Sequence, residues 1–254
     1  GTIHNTMFIK NGPSTLIDVC AKIAHTLGVE IKTGCKIEYI DCKDSICKGI
    51  SLENGNSYSG SKIISSLDPT HTFMKLIGNQ HLPPSLRTQI ENIKYRGTVA
   101  RVHFGLHSLP GIQGVSKEQM QSIFSISPSI NYLERAYDDC KYGKISKEPY
   151  IEFSFPTICN PAFAKAGKHV LSATVQYVPY HLKNEDWNEN VKNNIIQTVK
   201  EIIEKYIPKF SSYIENTAIT TPIDLENSFG ITEGNINNGE MTLDQFFFMR
   251  PTIS

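Results

Sequence analysis

The chain holds 254 residues, 25 basic against 25 acidic, with 39% hydrophobic and 20% charged side chains. A chain of this size removes roughly 73% of its extended-state surface from water, so a core can form without disulfide or metal staples. A formal net charge of +0 excludes a strong global pull on nucleic acid or an anionic membrane.

The first structured unit is clear. Pro13, Ser14 and Thr15 open a segment in which Leu16, Val19, Cys20, Ile23 and Leu27 recur at helical spacing, and Gly28 stops it. Short β-prone pieces follow at 29–33, 36–42, 46–53 and 58–65, and Asn54-Gly55 between the last two predicts a two-residue hairpin turn. Two short helices are expected at 70–77 and 84–93, the second begun by Pro84. Residues 98–106 are rich in β-branched and apolar side chains and predict a strand. A helix at 129–142 would carry Ile130, Leu133, Ala136 and Tyr137 on its apolar stripe.

The second half gives strands at 150–155 and 169–178, where Val170, Ala173, Val175 and Tyr177 include a near-alternating set. The longest helix, 186–207, carries Trp187, Val191, Ile195, Val199, Ile202, Ile203 and Tyr206 on one side, and Pro208 ends it. A last strand is expected at 218–222, before a Gly/Asn-rich tail that closes on Phe246, Phe247 and Phe248. Meander strands with separate helices predict an α+β fold: a mixed or antiparallel sheet with helices on one side, plus a small three-stranded meander.

Absences narrow the chemistry. The sequence has no G-x-G-x-x-G, P-loop, H-E-x-x-H or G-x-S-x-G. No stretch reaches the ~18 apolar residues of a spanning helix. The start lacks a signal-peptide pattern, and the six cysteines form no C-x-x-C pair, so a reducing, cytoplasmic setting is expected. The opening Gly1, in place of Met, leads to the expectation of an excised or tag-trimmed fragment.

His103 and His107 have the i,i+4 spacing of a helical zinc pair, but their surroundings are β-like. Four residues of strand span ~13 Å, too far to share one ion. Cys140 and Cys159 lack the basic neighbours that activate a nucleophilic thiol, so they are expected as small hydrophobes. Lys192, Lys200, Glu201, Glu204 and Lys205 on the long helix suit a solvated face with i,i+4 pairs better than a partner surface. Tyr177 and Tyr180 leave two readings open, pocket lining or core with a polar tip, and Phe247 is open in the same way. Residue chemistry alone shows no catalytic constellation.

A series of phrases carries a resemblance. Asn11-Gly12-Pro13 precedes a helix; Leu27-Gly28-Val29, Gly34-Cys35-Lys36-Ile37, Gly49-Ile50, Asn54-Gly55 and Ser65-Ser66-Leu67-Asp68-Pro69-Thr70 follow. Later come Leu82-Pro83-Pro84, Pro156-Thr157-Ile158-Cys159-Asn160-Pro161-Ala162, Gln176-Tyr177-Val178-Pro179-Tyr180, Thr221-Pro222-Ile223-Asp224-Leu225-Glu226, Gly234-Asn235-Ile236 and Leu243-Asp244-Gln245. In this order they resemble the phytoene desaturase-like FAD-dependent oxidoreductases across nearly the whole chain. Members of that family place a Rossmann motif before this region and a second Gly-rich flavin segment after it. The resemblance therefore implies a fragment with 1–66 on the FAD-domain side and 67–254 as a substrate-binding domain.

It also implies FAD in the parent protein, with little retained by the fragment alone, and an apolar small-molecule substrate that is dehydrogenated, desaturated or isomerised. Ile37 is the position whose backbone would read the FAD adenine, while Tyr177, Tyr180 and Phe247 are expected to line the substrate pocket. Asn237 and Asn238 stand where relatives carry an aromatic residue and a His, and Asn11-Gly12-Pro13 replaces a Gly-Gly-Met-like turn. Those departures keep a second expectation open: a non-catalytic module that binds a hydrophobic ligand or a protein partner.

Overall fold

The computed structural model describes residues 9, 11–43, 46–246 and 249. In chain order its elements are α1 (Pro13–Thr26), β1 (Ile37–Lys43), β2 (Ile46–Leu52), β3 (Ser57–Ser59), α2 (Pro84–Glu91) and β4 (Val99–Leu106). Then follow β5 (Phe124–Ile126), α3 (Ile130–Lys141), β6 (Tyr150–Ser154), α4 (Pro156–Cys159), β7 (His169–Gln176), α5 (Glu189–Glu204), α6 (Phe210–Tyr213), β8 (Ile214–Thr220) and α7 (Pro222–Phe229). Two compact units interleave along the chain. The first takes residues up to Ile31, Val99–Val178 and Leu182–Thr221; the second takes Lys32–Thr98, Pro179–His181 and the residues from Pro222 onward.

The first unit is built on a five-stranded sheet in the order β5-β6-β7-β4-β8, with every neighbouring pair antiparallel. Alternation sorts its side chains onto two faces. Ala100, Val102, Phe104 and Leu106 of β4, Ile151 and Phe153 of β6, and Leu171, Ala173 and Val175 of β7 are buried in one apolar core. Val191, Ile195, Val199, Ile202 and Ile203 of α5 join that core, which explains their 3.6-residue spacing. Each such side chain gains about 1.5–3 kcal/mol on burial, far more than the helix propensity of this Asn-rich segment supplies.

Helix α5 starts three residues later than expected because Asn188 caps it: its Oδ1 accepts from Asn190 N at 2.9 Å and Val191 N at 3.1 Å. Ser129 caps α3 in the same manner, accepting from Tyr132 N at 3.2 Å. The strand expected at 218–222 runs instead from Ile214 to Thr220, and Pro222 opens α7, where its missing N–H costs nothing.

The second unit carries a three-stranded antiparallel meander, β1-β2-β3. Only Gly55 takes a positive φ (83°) in its β2–β3 loop, and Leu52 N bonds Asn56 O at 2.8 Å. The connection is therefore a three-residue loop with Gly in the left-handed position, not the two-residue turn expected. Residues 29–33 form no strand: Val29 and Ile31 are exposed, and Val29 N turns back to Ala24 O. Thr70–Gly78 forms a helix of π type, with Thr72 and Leu76 buried.

Among the described residues no helix is long and apolar enough to cross a membrane. Mixed helices with antiparallel sheets are thus the observed architecture.

Candidate functional site

Ile37 opens β1, the edge strand of the meander. Lys36 O accepts from Glu53 N at 3.1 Å, so the preceding carbonyl points toward β2. Strand alternation then turns the N–H and C=O of Ile37 to the opposite, open edge. The pairing agrees: Ile37 lies opposite Leu52, whose own N–H and C=O are taken by Asn56 O and Gly55 N within the β2–β3 loop. A backbone donor and acceptor are therefore presented side by side at a sheet edge. This geometry suits the edge of a planar heterocycle such as adenine, and it depends on the backbone rather than on the Ile side chain.

Tyr180 belongs to a polar network that joins distant stretches of the second unit. Its hydroxyl donates to the Glu226 carboxylate, whose other oxygen accepts from Glu233 N at 3.0 Å. Glu233 in turn accepts from Arg96 N at 2.7 Å and lies 3.4 Å from His181 Nε2. The Arg96 guanidinium pairs with Glu240, and Tyr180 N donates to Gly97 O at 2.9 Å. Burial first, and then the Glu226 carboxylate, push the Tyr180 hydroxyl up to about 12, so it stays protonated as a donor.

Asp68, 4% exposed, accepts from His71 N at 2.8 Å and from Thr232 N and Oγ1 at 3.2 and 2.9 Å. Asn235 does similar work: its amide donates to Tyr95 O, and its oxygen accepts from Asn237 N at 2.8 Å. Gly234 sits at φ 64° with its backbone against Pro222, where a Cβ would strike the proline carbonyl. These contacts give a physical reason for Gly234-Asn235 and for Glu226 within the phrases that carried the resemblance. Asn237 and Asn238 lie in the turn that Asn235 holds.

Tyr177 lies in the first unit, half-buried, with its ring 5.1 Å from that of Tyr137. Burial and then Tyr137 raise its hydroxyl pKa. The sheet face turned away from the core is polar. Tyr150 Oη reaches both Ser125 Oγ at 3.0 Å and the Glu152 carboxylate. Cross-strand register continues that row from Glu152 to Thr174 and from Thr174 to Arg101, with His103 two residues along β4. Burial, then the Arg101 charge, lowers the His103 pKa, so this imidazole is the neutral form at pH 7. Sequence reading passed over Tyr150 and Glu152, although their alternation with Ile151 and Phe153 placed them on the outer face.

The remaining candidates separate. His103 lies within β4; His107 lies beyond its end, with Nε2 3.2 Å from Ser212 O and its ring stacked on Tyr213. Among the described residues no group of three or more His, Cys, Asp or Glu could hold a metal ion. Cys140 is buried and Cys159 half-buried. Phe247 lies outside the described residues.

The fold is that of solved oxidoreductases. An oxidoreductase from Methanosarcina mazei superposes with a TM-score of 0.53 at 14% identity, covering 83% of this chain and 42% of its own. Putrescine oxidase bound to putrescine gives 0.50 at 13% identity, covering 84% and 39%. At such identities the likeness concerns the fold alone.

Sequence comparison goes further. The chain is 31% identical to mouse pyridine nucleotide-disulfide oxidoreductase domain-containing protein 2, over 99% of this chain and 45% of the mouse protein. It is 22% identical to phytoene desaturase (neurosporene-forming) of Cereibacter sphaeroides, over 83% of this chain and 40% of that protein. No family model matches the chain. The chain is therefore a homologue of these two proteins, as the ordered phrases implied, and it spans under half the length of either.

Proposed function

We propose that these residues supply the substrate-facing part of an FAD-dependent oxidoreductase that dehydrogenates, desaturates or isomerises its substrate in the cytoplasm. The observation that carries this reading is the 31% identity to an oxidoreductase-domain protein over 99% of the chain. The six cysteines, with no C-x-x-C pair among them, accord with a reducing compartment.

The residues present fit one portion of FAD. The outward N–H and C=O of Ile37 would hold the adenine edge, while no G-x-G-x-x-G is available for the pyrophosphate. FAD, when bound, supplies the redox chemistry, and the protein contributes orientation and exclusion of water. We place 1–66 on the FAD-domain side and 67–254 as the substrate domain, a division by role that differs from the division into compact units. The residues proposed for substrate contact are Tyr177, Tyr180 and Phe247. The Tyr150, Glu152 and Arg101 row suits an apolar substrate that also bears a polar group.

A second reading, a non-catalytic module for a hydrophobic ligand or protein partner, is favoured by α1. Its stripe of Leu16, Val19, Ile23 and Leu27 is 54%, 47%, 54% and 77% exposed among the described residues. Purification of the protein as its gene encodes it separates the two. A yellow preparation with a flavin spectrum supports the oxidoreductase, and a colourless one that retains a hydrophobic ligand overturns it. The 254 residues alone are expected to bind FAD more weakly than micromolar, which a flavin titration checks.

A further inference from the structure

We infer that Cys42 and Cys47 form a reversible dithiol–disulfide site that fastens β1 to β2. The two residues are direct cross-strand partners, and their sulfurs lie 2.8 Å apart, closer than two unbonded sulfurs normally rest. Cross-strand partners have Cα atoms at a spacing that a disulfide accepts without backbone movement. Cys20 and Cys35 are exposed, Cys140 is buried, and Cys159 is half-buried at the end of α4.

Access favours Cys47 as the attacking sulfur. It lines a shallow surface depression with Ile46, Lys48, Ser59, Gly60 and Ser61. Burial, then the adjoining Cys47, pushes the Cys42 thiol up to about 11, which fits Cys42 as the second, resolving sulfur.

The oxidant is a small-molecule disulfide such as glutathione disulfide. Cys47 thiolate attacks one of its sulfurs and releases a first thiolate, giving a mixed disulfide. Cys42, losing its proton to water, then attacks Cys47 Sγ and releases a second. Two protein thiols are oxidised, one disulfide is reduced to two thiols, and protons and electrons balance. Oxidation would pin the strand that carries Ile37, while a reducing glutathione pool restores the thiols.

Trypsin makes the test direct, because Lys36, Lys43 and Lys48 place the two cysteines on separate peptides, 37–43 and 44–48. The full chain is equilibrated with glutathione disulfide, blocked with an alkylating agent, digested without reductant and read by mass spectrometry. The expected product is peptide 37–43 joined to 44–48, lighter by two hydrogens than their sum. The separately alkylated peptides should fall about tenfold, and dithiothreitol should return them. Cys47→Ser should abolish the joined species and leave Cys42 free of glutathione. Two peptides that stay alkylated, or that each carry their own glutathione, while Cys20 and Cys35 react, would overturn the proposal.

Discussion

The two units hold themselves together by different means. The first is an apolar sandwich of sheet and helix in which Phe104 and Phe210, both fully buried, meet edge to face at 5.2 Å. The second has fewer buried apolar groups and relies on side-chain hydrogen bonds between segments more than 130 residues apart, such as Asp68 to Thr232 and Arg96 to Glu233. Hydrophobic burial tolerates exchange of similar volumes, whereas a polar network fails when one partner is removed and the others stay buried. The second unit should therefore be the more sensitive to conservative polar changes, and the first to loss of volume.

The largest expected effect breaks the first unit. Phe104→Ala leaves a cavity beneath Phe210 and should cost about 3–5 kcal/mol in denaturant unfolding; a loss below about 1 kcal/mol would show that this ring pair is not central. Asp68→Ala tests the second unit. It strands the Thr232 N–H and hydroxyl and the His71 N–H, and should cost about 1–3 kcal/mol. Hydrogen exchange should quicken around Thr232 and His71 while β4 and β7 keep their protection. Equal loss in both units would contradict their separate means of stabilisation.

A smaller effect sharpens the comparison through pH. One tyrosine in each unit, Tyr132 and Tyr180, is pushed to about 12 from an ordinary value of 10, chiefly by burial. The folded state thus binds these protons more tightly than the unfolded state does. Their contribution is complete below about pH 10 and is lost as pH rises from about 10 to 12. Tyr132→Phe and Tyr180→Phe should each flatten the fall in unfolding midpoint across that window, which a series of thermal melts with pH would reveal.

Legibility followed how regular a period burial imposes on each segment, not which unit the segment belongs to. The α5 stripe and the β4 strand were plain, because burial against one partner face imposes a regular period on local sequence. Residues 29–33 were misleading: their β-branched composition suits a strand, but no neighbouring strand pairs with them, and they stay exposed. Strand β5 escaped notice because three residues carry too short a period, and its existence depends on pairing with β6. Helix α7 was hidden behind an apparent strand, although Pro222 is a good first residue for a helix.

The site was legible only in part. The open backbone at Ile37 depends on which edge each peptide group faces, and the Lys36–Glu53 bond that sets it joins residues 17 positions apart in the sequence. Glu226 and Glu233 lay within or beside quoted phrases, but nothing local joined them to Tyr180. The Cys42–Cys47 approach needed the cross-strand register, which the turn chemistry alone did not supply.

The most direct measurement replaces the Ile37 N–H. Because that group faces away from β2, Ile37→Pro removes a donor at an open edge without breaking the meander's ladder, and proline is tolerated at such edge positions. Ile37→Val, with the backbone intact, is the control, and circular dichroism with thermal melting confirms that both variants remain folded. In flavin titrations of the protein as its gene encodes it, Ile37→Pro should weaken FAD binding about tenfold, the value of one good hydrogen bond, and Ile37→Val should leave it unchanged. Equal affinity in all three folded proteins would contradict the assignment of this strand edge to the adenine.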